Sequence, residues 1–277
     1  MEGCDYVLHV ASPVMMENPK DENELITPAL EGTKNVLKAA SEAGVKRVVV
    51  TSSVAAILYG RDDEIDENFA FNEEHWTDVN HKNTSAYAKS KTLAEKAAWE
   101  FIEKDSSGME LSVVNPAMVF GPVLEEDYGT SVGVILEMMS GNYPMVPNMD
   151  MGVVDVRDVA DLQLLAMTRP EAAGKRFVCS ESNMMMKEQT DFLRDAFPEF
   201  QNKIPAREAP TWLLKLFAFL RPPLKMIAPE LGKNRKLDSS RARELLGWKT
   251  RPAKEAIKAL CFFKATFKND CTRTRKK

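Results

Sequence analysis

The chain has 277 residues, and 37 Lys and Arg against 41 Asp and Glu leave a net charge of −4. At a soft rate of about 150 residues per domain this is one large domain or two interleaved ones, so a small disulfide-stapled module is excluded. The acidic balance provides no basic field for a nucleic-acid backbone, and 44% hydrophobic with 28% charged residues is a globular composition. Cys4, Cys179, Cys261 and Cys271 are widely spaced without a C-x-x-C pair, which points to a reducing compartment and a cytoplasmic location. Met1-Glu2-Gly3-Cys4-Asp5 lacks the cationic start and apolar core of a secretory signal. No run reaches the roughly 20 apolar residues of a membrane span; Trp212 to Leu220 falls well short and contains Lys215. Neither a membrane nor a nucleic acid is expected as a partner.

Tyr6-Val7-Leu8-His9-Val10 predicts a short buried strand running into a loop at Ala11-Ser12-Pro13. Leu25, Ile26, Ala29, Leu30, Val36, Leu37 and Ala40 recur at helical spacing between about Asn23 and Ala43, and Gly44 follows as a helix stop. Arg47-Val48-Val49-Val50-Thr51 is the next strand, in the order and at the separation of a parallel crossover unit. A polar loop with acidic residues Glu64, Asp66, Glu67, Glu73 and Glu74, read as solvated, leads to a helix over about 85–104 and a third strand, Leu111 to Asn115, stopped by Pro116. Three such strands separated by two helices predict an α/β sheet covered on both faces.

Beyond Gly121-Pro122 the texture changes to scattered prolines and methionines, and a smaller lobe is expected. Val153 to Val156 predicts a strand leading into a helix through Met167, Arg176 to Cys179 another strand, and Ser239 to Leu246 a short helix stopped by Gly247. Met184-Met185-Met186 fits core packing better than a soft-metal site, because methionine fills irregular apolar gaps. His9, His75 and His81 are dispersed, so no metal site is expected. Trp212 to Leu220 reads as a helix over a substrate pocket, with a membrane-surface helix as the alternative.

The informative segment is Ser85-Ala86-Tyr87-Ala88-Lys89-Ser90-Lys91-Thr92-Leu93-Ala94-Glu95. Tyr87 and Lys91 are four apart, so on a helix they share a face, and an ammonium beside a phenol favours the phenolate and lowers its pKa. Such a pair also arises as an aromatic packed beside a solvated lysine. What distinguishes it here is Thr51-Ser52-Ser53 directly after the second strand, at the carboxyl edge where α/β sheets place reactive groups. A hydroxyl there can hydrogen-bond a carbonyl oxygen; locally satisfied serines are the plain alternative.

Together, Asp5-Tyr6-Val7-Leu8-His9-Val10-Ala11-Ser12-Pro13, Gly32-Thr33-Lys34-Asn35-Val36-Leu37, Val48-Val49-Val50-Thr51-Ser52-Ser53, Tyr87-x-x-x-Lys91 and Asn115-Pro116-Ala117-Met118-Val119-Phe120-Gly121-Pro122 resemble the extended short-chain dehydrogenase/reductase family of the NAD-dependent epimerase/dehydratase type. Within it the chain is most similar to the dihydroflavonol reductase, cinnamoyl-CoA reductase and yeast ketoaldehyde reductase branch. The resemblance runs through Val154-Asp155-Val156-Arg157-Asp158-Val159-Ala160 to Glu244-Leu245-Leu246-Gly247-Trp248. It implies a Rossmann-like doubly wound parallel sheet with a smaller α/β substrate lobe. It divides the chain into a dinucleotide-binding part (1–123 and 151–180), a substrate lobe (124–150 and 181–265) and a basic tail (266–277).

The resemblance also implies roles. Ser53 would orient and polarise a carbonyl, Tyr87 would donate the proton, and Lys91 would bind the nicotinamide ribose. Ala11 and Ser12 would line the cofactor's pyrophosphate path, and Pro116, Met118 and Val119 would hold the nicotinamide ring. The implied activity is reduction of a small-molecule ketone or aldehyde with NADP, or with NAD as the second choice. An epimerase or dehydratase, and a non-catalytic short chain, are the alternatives.

Two departures accompany the matches. Gln163 stands where the family usually has a histidine. The family's opening strands and Gly-x-x-Gly-x-x-Gly turn, roughly two supersecondary units of about 30 residues, have no counterpart among the 13 glycines here. In a sheet of that order, the strand at Tyr6 to Val10 is then expected to be a bare apolar edge, open to pairing with another chain.

Overall fold

The computed structural model describes residues 1–14, 19–62, 69–125, 128–218 and 227–260. Glu64, Asp66 and Glu67 of the acidic loop, Phe219, Leu220, Cys261, Cys271 and the basic tail lie outside the described residues. In chain order the main elements are β1 (Tyr6–His9), α1 (Asn23–Glu42), β2 (Arg47–Thr51), α2 (Ala86–Lys104), β3 (Glu110–Pro116), β4 (Met118–Phe120), α3 (Thr130–Met138), β5 (Asp150–Asp155), α4 (Val156–Thr168), β6 (Lys175–Cys179), β7 (Ser182–Met185), α5 (Met186–Ala196), α6 (Thr211–Phe217) and α7 (Ser240–Leu246). The contacts divide them into two compact units. One comprises Met1–Ala117, Val159–Ser180 and Arg235–Lys249; the other holds Met118–Asp158, Glu181–Asn234 and the described residues from Thr250 on.

The first unit is built on a four-stranded sheet in the order β1-β2-β3-β6, all parallel, with Val7 opposite Val48, Val48 opposite Leu111 and Val114 opposite Phe177. Strand alternation sorts β2 onto two faces. Val48 and Val50 enter a core with Leu37 and Ala40 of α1, Ala98 of α2 and Leu111 and Val113 of β3. On the opposite face Arg47 and Thr51 meet α4. Arg47 Nη1 donates to the carbonyls of Ala166, Met167 and Arg169 at 2.8, 3.2 and 2.6 Å, so a buried cation caps the negative end of that helix. Helices therefore cover both faces, which makes the unit Rossmann-like. Gly44 and Gly247 follow α1 and α7 at φ +70 and +66, the left-handed conformation a helix stop requires.

Strand β1 is the sheet edge. Tyr6 and Leu8 on it, and Val10 just beyond it, are 39%, 40% and 55% exposed, so the strand is not the buried one its apolar run predicts but the bare edge the resemblance implies, because it is paired on one side only. A second expectation is also corrected. Glu73 is not solvated but buried, and its carboxylate accepts the Val178 N–H at 2.8 Å; burial raises its pKa, with that backbone bond opposing the rise. A backbone donor left over at the free edge of β6 needs an acceptor, and Glu73 supplies it. Glu74 beside it is exposed and paired with Arg241.

The second unit carries a three-stranded sheet, β4-β5-β7, with β4 and β5 parallel and β7 antiparallel. Its core contains Phe120, Ile135, Val153, Leu193 and Ile257, together with Met184 and Met186, so the methionine run serves packing. Helix α6 leaves Trp212, Leu216 and Phe217 exposed. Among the described residues no helix is long and apolar enough to cross a membrane.

Candidate active site

Because β1, β2 and β3 are parallel, their carboxyl ends share one edge of the sheet. Ala11 and Ser12 follow β1 on that edge, Ser52 and Ser53 follow β2, and Pro116 ends β3 opposite Cys179. The Ser52 N–H still donates to the Val114 carbonyl at 2.8 Å. At Ser53 the chain turns into a short 3₁₀ segment, Val54–Ala56, and the serine oxygen caps it by accepting the Ala55 N–H at 3.1 Å. With one lone pair engaged by the backbone, the Ser53 O–H proton is left to point elsewhere. The Ser53 side chain neighbours Tyr87 and draws its phenol pKa down.

Tyr87 stands in the first turn of α2, whose N-cap Ser85 accepts the Ala88 N–H at 3.2 Å. One turn on, the Lys91 ammonium lies 5.9 Å from the Tyr87 ring centroid and is 7% exposed. Ser53, Tyr87 and Lys91 are thus brought together, while Ser53 and Tyr87 remain half-buried and reachable from solvent.

The electrostatics differ from the expectation of a lowered tyrosine pKa. Burial pushes the Tyr87 phenol up, and the Ser53 bond pulls it partly back. Burial also lowers the Lys91 ammonium to about 8, against the pull of the Glu95 charge. In a low-dielectric site both groups favour their neutral forms, and desolvation outweighs their mutual influence. His9, at the end of β1, is likewise lowered, by burial first and by the Lys91 charge second.

The arrangement fits a nicotinamide dinucleotide in part. Among the described residues the Lys91 ammonium has no hydrogen bond or ion pair, so its three donors are available to ribose hydroxyls. Ser53, Tyr87 and Lys91 therefore fit the nicotinamide ribose end. The helix following β1 does not fit the pyrophosphate, because α1 opens on Glu22 as N-cap with Glu24 in its first turn, and carboxylates there repel phosphate. Met118 and Val119 lie on β4 in the second unit, where Met118 packs against the core. Gln163, the departure noted above, donates from Nε2 to Thr51 Oγ1 at 2.7 Å and so steadies the end of β2.

Sequence reasoning passed over Glu95, Asn115 and Arg176, which meet beneath Ser52 and Ser53. The available signal was the repeat of Tyr87, Lys91 and Glu95 at steps of four on one helix face.

Residues 1–180 match the family model described as NAD dependent epimerase/dehydratase family. The chain is 34% identical over 267 residues to the NADPH-dependent methylglyoxal reductase of Saccharomyces cerevisiae, covering 91% of this chain and 73% of that protein. It is 40% identical over 202 residues to cinnamoyl-CoA reductase 1 of Petunia hybrida, covering 72% of this chain but 58% of the relative. The crystal structure of the yeast methylglyoxal/isovaleraldehyde reductase complexed with NADPH superposes with a TM-score of 0.78 at 33% identity, over 96% of this chain and 78% of that one. This chain belongs to the NAD dependent epimerase/dehydratase family.

Proposed function

We propose that the protein reduces a small-molecule ketone or aldehyde to an alcohol with NADPH. The observation that carries this reading is Ser53 beside Tyr87, with the Lys91 ammonium one turn away at the carboxyl edge of a parallel sheet. The relatives at 34% and 40% identity are named as reductases, and the yeast one as NADPH-dependent, which supports reduction over epimerisation and NADPH over NADH.

When bound, the reduced nicotinamide supplies the hydride that adds to the carbonyl carbon. Tyr87 donates its proton to the carbonyl oxygen and regains one from solvent, so the product is the alcohol. Burial keeps the Tyr87 phenol in its acid form, the state reduction needs. Ser53 orients the carbonyl through its O–H, and Lys91 holds the ribose and counters the phenolate as it forms. Ala11 and Ser12 would line the pyrophosphate path, and Pro116, Met118 and Val119 would hold the nicotinamide ring. In domain terms, 1–123 and 151–180 would serve the dinucleotide and 124–150 with 181–265 the substrate. The wide spacing of Cys4, Cys179, Cys261 and Cys271, without a C-x-x-C pair, supports a cytoplasmic setting.

The test has two parts. Calorimetric titration of the full chain with NADPH and NADH should show tighter NADPH binding. Tyr87→Phe should then abolish most reduction of methylglyoxal while leaving that binding nearly unchanged; full turnover in the variant would refute the proton-donor assignment.

The edge strand supports a second reading. Tyr6 and Leu8 are exposed on β1, as is Val10 just beyond it, and the outer side of this strand is unpaired among the described residues. We infer that this edge accepts a strand from a second copy of the chain.

A further inference from the structure

Beneath the site lies a charged group that the reaction as described does not use. Glu95, 1% exposed, receives Ser52 Oγ on Oε2 at 2.6 Å and Asn115 Nδ2 on the same oxygen at 2.8 Å. Arg176 Nε stands 2.7 Å from Oε1, and Trp99 Nε1 lies 3.5 Å from that oxygen. Asn115 Nδ2 also reaches the Ser53 carbonyl at 3.2 Å. An amide NH₂ has two protons, so Asn115 can bridge the carboxylate and the backbone of Ser53 at once.

Arg176 is itself fixed. Its Nη1 donates to the carbonyls of Glu73 and His75 at 3.2 and 2.9 Å, and its guanidinium sits 3.7 Å from the centroid of the Trp76 ring. The carboxylate is therefore anchored from β6 on one side while it gathers Ser52 and Asn115 on the other.

A buried ion pair is weak as a source of stability, since apolar residues of similar volume often do as well or better. What this cluster achieves that an apolar one could not is directional. It ties the ends of β2 and β3 and the start of β6 to α2 beside Ser53, and it places a negative charge one helical turn beyond Lys91.

We propose that Glu95 is a positioning residue for the Ser53–Tyr87–Lys91 site: it aims Ser53 through Ser52 and Asn115, and it is the countercharge that keeps Lys91 an ammonium. This rests on the reading of those three residues as the reaction site. The charged and titratable neighbours of Lys91 are Tyr87 and Glu95 on its own helix and His9 from β1.

The test uses the full chain and first a readout independent of turnover. In protein labelled at the lysine ε-carbon, with Lys91→Met to assign the signal, Lys91 should titrate near the value of about 8 given by its burial. Glu95→Gln should lower that midpoint, whereas Ser52→Ala, which leaves the charge in place, should not move it. An unchanged midpoint in folded Glu95→Gln overturns the countercharge role.

The aiming role is read separately in Asn115→Ala, which keeps both Glu95 and Arg176. Its kcat with NADPH and methylglyoxal should fall about 100-fold, as expected for a misplaced reacting group, with dinucleotide affinity within about threefold. Wild-type kcat there overturns the aiming role. If Glu95→Gln does not fold, Glu95→Asp replaces it: retained charge should hold the Lys91 midpoint while the shortened reach lowers kcat, and unaltered kcat counts against the proposal. Tyr87→Phe run in parallel separates the two levels, since an active Tyr87→Phe refutes the site reading while the Lys91 midpoints still report on Glu95.

Discussion

Ser53 neighbours the Tyr87 phenol and draws its pKa down, while its oxygen accepts the Ala55 N–H at 3.1 Å. The serine therefore has a fixed acceptor role toward the backbone, which leaves its O–H for the site. Ser53→Ala removes the donor at the reacting oxygen, and kcat/KM for the carbonyl should fall by about 100-fold. The same substitution removes the bond that draws the Tyr87 pKa down, so ultraviolet titration of the tyrosinate should place Tyr87 higher still. Unaltered tyrosinate titration in the variant would show that the two hydroxyls do not interact in solution.

Lys91 should act against the stability of the free protein. Its ammonium is held at about 8 in the folded chain against 10.5 as its ordinary value, so between those pH values the unfolded chain binds more protons and folding gains as pH rises. Below about 8 the penalty is fully present. Lys91→Met, with a similar stem and no charge, should stabilise the protein at pH 7 by on the order of 2 kcal/mol. In urea denaturation that advantage should shrink steadily from pH 8 toward 10.5. A constant difference across the range would rule out the buried ammonium as its cause.

The same titration bounds activity. For the free enzyme, kcat/KM for NADPH should be level through neutral pH and fall on the alkaline side with an apparent pKa near 8, as Lys91 loses the charge that engages the ribose. Tyr87, pushed above its ordinary value, keeps its proton throughout this range and contributes no limb there. Alcohol oxidation, which needs the phenolate, should instead gain from rising pH until Lys91 deprotonates. A reduction profile flat to pH 10 would exclude this role for Lys91.

The β1 edge makes a prediction about assembly. Light scattering should show the chain's mass rising with concentration toward that of a dimer, and Leu8→Lys should hold it at the monomer, because a charge on an edge strand discourages pairing. Leu8 is 40% exposed, so the circular dichroism of the variant should match that of the parent. Monomer mass for the parent chain at all concentrations would dismiss self-pairing.

Much of the first unit was readable in the chain order of its residues. The runs at Tyr6, Arg47 and Leu111, separated by helical periodicities, specify parallel strands, because short connections cannot return the chain in the same direction without a crossover. Tyr87 and Lys91 were readable for the same kind of reason: their spacing of four is a local property of any helix. Glu73 was not, because a carboxylate in a polar loop declares nothing about the strand edge it will serve. Arg47 likewise reads as the polar start of a strand, whereas its partners, the carbonyls of Ala166, Met167 and Arg169, lie some 120 positions away.

By itself the sequence determined the element order, the parallel sheet and the pairing of Tyr87 with Lys91, all of which follow from periodicity, spacing and motif order. Only the tertiary structure decided that Ser53 meets Tyr87, that burial raises the phenol and lowers the lysine, and that Glu95 is the buried charge behind them. Those outcomes depend on desolvation and on contacts between segments far apart in the chain, which no local pattern encodes.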